Sequence, residues 1–421
     1  MNNPVLNHSC EQIQPPLLTM DKALNFLLDA AKTPTQTCNT LLNDSLDRVL
    51  AQNICSTINV PGFDNSAMDG YAIHLKNEQI NRPGGFTFKI TDRISAGSVG
   101  NTLESGCAAR IFTGAPIPKG ANTVVMQEEC EVSDDGNSVE IWRPLSLNEN
   151  IRPMGNDIKS GAIILEKGLK LKPQDIALAA SVGINTLEVF KKIKVGVFFT
   201  GDELVSPTLA LKPGQIYNSN SYALVAMLKH LNCDIVNLNN VEDTLDATVS
   251  ALESLQYQCD LIITTGGVSV GEEDHVKPAL EKLGKLSLWR IKMKPGKPLA
   301  FGQIGKSAFI GLPGNPVSAL VTFFLFARPF IKKMQGINNY KNQTTQVQCN
   351  FDWRAPKLRR EFVRVKLDHS TAPASANLYP KQGSDVLSSL VWAHGLVEIP
   401  EDCSFSQGAL LNYYSLTDPT L

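Results

Sequence analysis

Three kinds of chemistry-bearing residue recur close together from about residue 195 onward in this 421-residue chain: glycine turns after apolar runs, cations around a Pro-Gly turn, and carboxylates. The stretch DLIITTGGVSVGEEDH, Asp260 to His275, begins with Leu261, Ile262 and Ile263 and turns at Gly266, Gly267 and Gly271. Bare backbone N–H groups in such a turn crowd around an anion. Yet Glu272, Glu273 and Asp274 follow at once, and a phosphate alone would be repelled there. A second apolar run, VGVFFTGDEL, ends in Thr200-Gly201-Asp202-Glu203. A third, GLPGNPVSAL, runs into Pro313-Gly314-Asn315-Pro316, with Asn315 suited to a helix N-cap and Pro316 to the first helical turn. In WRIKMKPGKPLAFG, Arg290, Lys292, Lys294 and Lys297 flank a Pro-Gly turn, and in a strand residues 290, 292 and 294 face one way. Each stretch alone has a plain structural reading: capping acids, a rigid cap, a solvated strand edge. Together on one sheet edge they read as a clamp for a phosphorylated ligand.

The elements that must position these residues follow from pattern. From residue 191 to about 335, apolar runs (IKVGVFF, DIVNL, DLIITT) alternate with helical stretches near 220–231, 245–256 and 275–283, and a last helix runs from Asn315 to about Lys333. This alternation predicts a parallel sheet wrapped by helices, which binds ligands outside the carboxyl ends of its strands. The fold class is multidomain α/β plus β, with four parts. Residues 1–60 and 153–190 form a mixed linker and dimerisation domain, with an amphipathic helix at 19–31 capped by Thr19 and another starting near Pro173. Residues 61–152 alternate in short runs with a hairpin turn at Asp135-Gly136, a β-rich domain. Residues 191–344 are the α/β domain and 345–421 a small β domain.

Bulk properties narrow the class. A net charge of −2 gives no field toward nucleic acid or membrane, so any anion site is built locally. Nine dispersed cysteines without a C-x-x-C pair read as reduced thiols, and the polar N-terminus has no signal-peptide core, so a cytoplasmic protein is expected. His74, His230 and His394 read as structural or surface residues.

Six blocks in register carry a specific resemblance: PGFDNSAMDGYA (61–72), RIFTGAPIPKGANTVVMQE (110–128), FFTGDEL (198–204), TTGGVSVGEED (264–274), KPGKPLAFG (294–302) and GLPGNPVSA (311–319). The chain resembles the molybdopterin molybdenumtransferases, the MoeA family, and is similar to the E domain of gephyrin. The resemblance implies an enzyme of molybdenum cofactor biosynthesis that takes adenylylated molybdopterin and molybdate and, with Mg²⁺, releases AMP. It also implies a homodimer with the cleft between the α/β domain of one subunit and the β-rich domain of the other, and an upstream adenylyltransferase as candidate donor of substrate. By motif, Asp64, Thr113, Asp157, Glu203 and Asp243 are the implied catalytic positions. Gly266, Gly267, Ser269, Arg290, Lys294 and Lys297 are the implied cofactor-binding positions of the α/β domain, with Pro313 and Pro316 as its rigid loop. Arg364 and Ser384 match positions of the last domain. Two departures stand out: Arg290 replaces a lysine of close relatives, and His275 an aromatic residue.

Cleaving a phosphoanhydride needs a divalent cation shared by phosphate oxygens and carboxylates. Asp64, Asp157, Glu203, Asp243, Glu272 and Asp274 are more candidates than one ion needs, and Asp64, Glu203, Asp243, Glu272 and Asp274 are taken as the metal set. The acids after the glycine turn then face a cation that the phosphates share. Asp64 and Asp69 have the alternative of capping turns. Molybdate, an oxyanion, calls for cations, and Arg359, Arg360 and Arg364 are available unless KLRREFVRVK is a solvated strand face. Two other functions stay open: a scaffold like gephyrin E, and a molybdopterin adenylyltransferase acting one step earlier, which the additional β domains disfavour.

Overall fold

The computed structural model describes residues 17–82, 84–267, 274–354, 357–370 and 372–416, with the backbone alone at 288–289. Ser269 and Glu272 lie outside the described residues. The chain forms two compact units, one from residues 39–189 and the other from the N-terminal segment up to Cys38 together with Phe190 onward. Among the described residues, no helix is long and apolar enough to cross a membrane.

The larger unit is built on a six-stranded sheet: β1 (Lys194–Thr200), β2 (Asp234–Val241), β3 (Leu261–Thr265), β4 (Gly284–Arg290), β5 (Pro298–Ile304) and β6 (Ser307–Leu312). Their spatial order is β2-β1-β3-β6-β5-β4. The first four are parallel, as the alternation predicts, while β5 and β4 add antiparallel at one edge. The sheet is therefore mixed rather than wholly parallel, because β4, β5 and β6 follow one another with no helix between them.

The inner parallel strands β1, β3 and β6 are buried on both faces, while β2 is a partly exposed edge, and period-two alternation sorts the inner side chains into two cores. Val195, Val197, Phe199, Leu261, Ile263 and Ile310 enter one cluster. There they meet Leu224 and Leu228 of α2 (Ser219–His230) and Val317 and Val321 of α5 (Pro316–Thr322). Phe198, Ile262 and Phe309 point the other way, against Leu252 and Leu255 of α3 (Leu245–Gln256) and Ala279 and Leu280 of α4 (Val276–Leu283). Helix α1 (Met20–Ala30), capped by Thr19 as expected, adds Met20, Ala23 and Leu27 to the first core. The single helix expected from Asn315 to Lys333 is interrupted: α5 passes through a wide turn, Phe323–Ala327, into the helix Arg328–Met334. Pro329 has no N–H to give the helical ladder, which accounts for the wide turn before it.

The C-terminal strands of this unit close on themselves as a small barrel, because Arg360–Asp368 pairs with both Ser375–Leu378 and Gly395–Ile399. The short strand Met293–Lys294 joins its edge, Lys294 lying in register with Glu361.

The smaller unit carries a second six-stranded sheet built from 70–73, 86–94, 107–111, 123–126, 131–132 and 138–141. Gly70 allows the close approach of neighbouring strands, since a Cβ there would sit 1.9 Å from the Val125 carbonyl oxygen. The expected hairpin at Asp135-Gly136 is present. Gly136 has φ +71°. The Asp135 carboxylate accepts from the Ser133 hydroxyl at 2.6 Å and the Asn137 N–H at 3.0 Å, which hold its pKa down at about 2. The helix expected near Pro173 spans Pro173–Ser181.

Candidate functional site

The larger unit holds a cleft of about 880 Å³ at the carboxyl ends of its parallel strands. Thr200 ends β1, Thr265 ends β3, and Leu312 ends β6 beside Thr265 in register, so three loops leave the sheet side by side. Gly266 has φ +84° and donates its N–H to the Leu312 carbonyl at 3.0 Å. It lies back to back with Gly314 of the proline loop, whose added Cβ would sit 3.6 Å from the Gly266 Cα. Two backbone turns thus face the cleft without side chains. Gly267, at φ +65°, packs instead against α4, where a Cβ would strike Val276 at 2.5 Å.

Hydrogen bonds among asparagines and serines fix the loops. Asn218 caps α2 through Ser221 N–H at 3.0 Å and donates to Asn240 at 2.7 Å. Asn240 in turn holds the Leu204 carbonyl at 2.9 Å, anchoring the turn that carries Glu203. Asn220 donates to the Gly314 carbonyl at 2.7 Å and to Thr265 Oγ1 at 3.3 Å, linking two strand ends. Its own Oδ1 is buried and accepts no hydrogen bond among the described residues. Asn315 occupies the N-cap position of α5, but its amide does not cap; it donates to Ser384 Oγ at 3.1 Å. The Ser384 carbonyl then accepts from Val317 N–H at 3.0 Å, so the barrel loop is tied to the proline loop.

Seven of the expected residues meet here: Glu203, Gly266, Lys294, Lys297, Pro313, Pro316 and Ser384. Lys294 is held by Glu361, Nζ to carboxylate 3.4 Å, and that carboxylate is 4% exposed. Arg359, considered for molybdate, also lines the cleft, as does Asp385, which no motif flagged. Arg360 does not: it is engaged by Asp21, Glu398 and Glu401.

Other expectations are corrected. The strand bearing Arg290 ends there, and Met293–Lys294 joins the barrel edge, so residues 290, 292 and 294 do not share one strand face. Arg290 pairs with Pro298 at the outer sheet edge and is not among the cleft's lining residues. Arg364 is 1% exposed and turned inward. It donates to Ser389 Oγ at 2.9 Å, to the Gly383 carbonyl at 2.8 Å and to the Lys381 carbonyl at 3.3 Å. Burial pushes its pKa down to about 10, still charged at neutral pH. It holds the loop that presents Ser384 rather than facing the cleft itself. Asp243 and Asp274 are half-buried on the loops after β2 and before α4, outside the cleft lining.

In the smaller unit, three motif loops meet. The Asp64 carboxylate accepts from Met154 N–H at 2.7 Å, and Asp157 N–H donates to the Val60 carbonyl at 3.0 Å, so Asp64 and Asp157 sit on adjoining loops. The Asp64 carbonyl accepts from Ile117 N–H at 2.9 Å, bringing in the Thr113 loop. Thr113 gives both its N–H, at 2.8 Å, and its hydroxyl, at 2.7 Å, to Asp69. Those two bonds, the backbone one first, hold the Asp69 carboxyl below its ordinary value. Both carboxylates therefore anchor loops distant in sequence, those of Met154 and Thr113, instead of capping a turn of their own segment. These bonds occupy one carboxylate oxygen of Asp64 and leave Thr113 with no hydroxyl proton to spare.

Among the described residues, no three His, Cys, Asp or Glu side chains gather as a metal site. The thiols offer no nucleophile in the core: burial raises Cys233 and Cys349 to about 12 and Cys259 to about 11.

Comparison with known proteins places this architecture. Residues 18–183 match the MoeA N-terminal region (domain I and II), 196–333 a probable molybdopterin binding domain, and 346–416 the MoeA C-terminal region (domain IV). The chain is 43% identical over 328 residues to a molybdopterin molybdenumtransferase of Haemophilus influenzae, covering 77% of this chain and 80% of that one. It is 34% identical over 379 residues to molybdopterin molybdenumtransferase 2 of Mycobacterium tuberculosis, covering 88% and 92%. A crystal structure of a MoeA protein from Pyrococcus horikoshii superposes with a TM-score of 0.82 at 29% identity, covering 95% of this chain and 100% of that one.

Proposed function

Because the chain belongs to the molybdopterin molybdenumtransferases, the MoeA family, we propose that it transfers molybdenum from molybdate to adenylylated molybdopterin and releases AMP. The observation that carries this reading is the convergence in one cleft of two side-chain-free backbone turns, Lys294, Lys297, Arg359 and the carboxylate of Glu203. The cations suit the phosphates of the substrate and of AMP, and the bare backbone at Gly266 and Gly314 lets a ligand approach closely. The buried Oδ1 of Asn220 suits an N–H donor on the ligand, because leaving it unmatched is unfavourable. Molybdate, a small dianion, fits the same cations. Ser384 and the proline loop, tied together through Asn315, keep the cleft's shape while ligands exchange.

The donor set also fits Mg²⁺ as an ion shared with the substrate. Glu203 and Asp385 line the cleft, and Mg²⁺ is ordinarily held by one or two carboxylates together with phosphate oxygens and water. When bound, it supplies neutralisation of charge on the phosphoanhydride. Glu203 would hold it, Lys294 and Lys297 would bind the departing phosphate, and the glycine turns would orient it. Asp64 and Asp157 remain candidates for the same reaction from the smaller unit, and the protein is proposed to act as a cytoplasmic homodimer. The test is to incubate the purified protein with adenylylated molybdopterin, molybdate and Mg²⁺ and to measure AMP together with reactivation of a molybdenum-free apoenzyme. Equal appearance of both supports the reading. Absence of both, with the ligand still bound, favours a scaffold; consumption of ATP with unmodified molybdopterin favours an adenylyltransferase.

A further inference from the structure

A second cavity of about 800 Å³ opens at the opposite end of the same sheet. Ile193, Asp260 and Lys306, which line it, directly precede β1, β3 and β6. It is therefore at the amino ends of the strands whose carboxyl ends form the cleft. Its rim carries Lys32, Lys191, Lys192, Lys306 and Lys333, against one carboxylate, Asp260. That carboxylate is engaged, accepting from Lys194 N–H at 2.8 Å. Lys333 is also engaged, donating to the Leu28 carbonyl at 2.8 Å at the end of α1. The other four lysines are exposed and form no ion pair among the described residues. In a chain of net charge −2, such a rim is a local construction rather than general basicity. The floor beneath it is apolar, with Ile193, Phe301 and Met334 and the wall residue Pro34. Phe301 is fixed by an edge contact with Phe330, ring centroids 5.7 Å apart.

We propose that this cavity is a binding site for a small phosphorylated aromatic compound, its phosphate taken by Lys191, Lys192, Lys32 and Lys306 and its ring laid on the Phe301 and Met334 floor. The volume is that of a small-ligand site. Unpaired ammonium groups bind phosphate as point charges, and the apolar floor adds selectivity for a flat body over a bare ion. The site is separate from the cleft and does not depend on the reaction assigned there.

Pyridoxal 5′-phosphate serves as the probe on the full chain. Its aldehyde condenses with a lysine ε-amine, releasing water and forming a C=N bond. Borohydride then delivers hydride to the carbon and solvent a proton to the nitrogen, fixing the label for peptide mapping. Labelling at Lys191, Lys192, Lys32 or Lys306 is expected to be saturable. It should exceed that at the exposed lysines Lys159, Lys212 and Lys282 by about tenfold, a difference ordinary for a phosphate held by several cations. Pyridoxal, lacking the phosphate, should show no such preference, and inorganic phosphate should compete only weakly. The double variant Lys191→Glu/Lys192→Glu should bring Lys306 down to the level of the comparison lysines while leaving the melting temperature and any AMP release unchanged. Non-saturable labelling equal to the comparison lysines would overturn the proposal. So would equal labelling by pyridoxal, which would mean reactive amines and no phosphate site. Inorganic phosphate competing as well as the aromatic compound would overturn the role of the floor.

Discussion

Replacing Arg364 separates two roles that motif matching leaves merged. Its guanidinium makes two well-formed hydrogen bonds, to Ser389 Oγ at 2.9 Å and Gly383 carbonyl at 2.8 Å, and a longer one to Lys381 carbonyl at 3.3 Å, with 1% of the residue exposed. Hydrogen bonds from a charged donor contribute about 1.5–3 kcal/mol each, so the two short ones account for roughly 3–6 kcal/mol. Arg364→Met keeps most of the volume and removes the desolvated charge, which returns on the order of 1–2 kcal/mol. The net loss is about 2–4 kcal/mol, or a fall in melting temperature of roughly 5–10 °C for a unit of this size. Arg364→Lys should recover little, since one ammonium cannot reach Ser389 and Gly383 together. The loop 381–384 should loosen in both variants, so binding of AMP should weaken in step with stability. The assay is thermal unfolding alongside calorimetric titration with AMP. Full stability with lost binding would refute the reasoning, because it would put the guanidinium on the ligand and not on the loop.

Three further outcomes follow from specific contacts. Thr113→Val should raise the pKa of Asp69 part of the way toward 3.8, since the hydroxyl bond goes while the backbone bond, the larger cause, remains. The sign follows from a depressed carboxyl: its stabilisation is present above the unfolded pKa and is lost as pH falls through the lower folded value. Carboxyl chemical shifts followed by NMR below pH 4 check it, and an unmoved Asp69 would contradict it. Asn315→Ala should leave the melting temperature nearly unchanged and weaken AMP binding by about fivefold, the worth of one hydrogen bond at about 1 kcal/mol, as read by calorimetry. Alkylation at pH 8 should modify exposed Cys55 long before Cys233 and Cys349, whose thiols are held near 12; equal rates by mass spectrometry would be against this.

The sheet was legible because its signal is local. Runs such as VGVFF and LIITT are apolar on both faces, and a capping residue such as Thr19 marks where a helix begins. Glycine turns, the proline loop, Lys294 and Glu203 could be placed on one edge, since strand ends in such a sheet have a fixed direction. What failed was long-range. Nothing in WRIKMK tells that the chain leaves the sheet after Arg290 and joins the C-terminal barrel at Met293, which is set by pairing with Arg360 and Glu361 some seventy residues away. Arg364 read as a ligand-facing cation because a buried arginine and an exposed one have the same sequence signature in REFVRVK. The asparagines at 218, 220 and 240 carried no motif, and only the fold brings them to one set of loops. A feature was available in hindsight: NSNSY, Asn218 to Tyr222, at the start of α2 places two amides at the carboxyl edge.

The most direct test of the central claim is single-turnover release of AMP from adenylylated molybdopterin, with molybdate and Mg²⁺, by the wild-type protein and by Glu203→Gln. Glu203 is exposed in the cleft, its side chain forms no ion pair among the described residues, and the 2.8 Å bond from Ile216 N–H goes to its backbone carbonyl, which the substitution keeps, so the variant should fold, melt and bind AMP as the wild type does. The account predicts AMP release coupled to molybdenum insertion in the wild type, and a loss of at least about a hundredfold in the variant, the scale of removing a group that acts on developing charge. A wild-type rate from Glu203→Gln would contradict it.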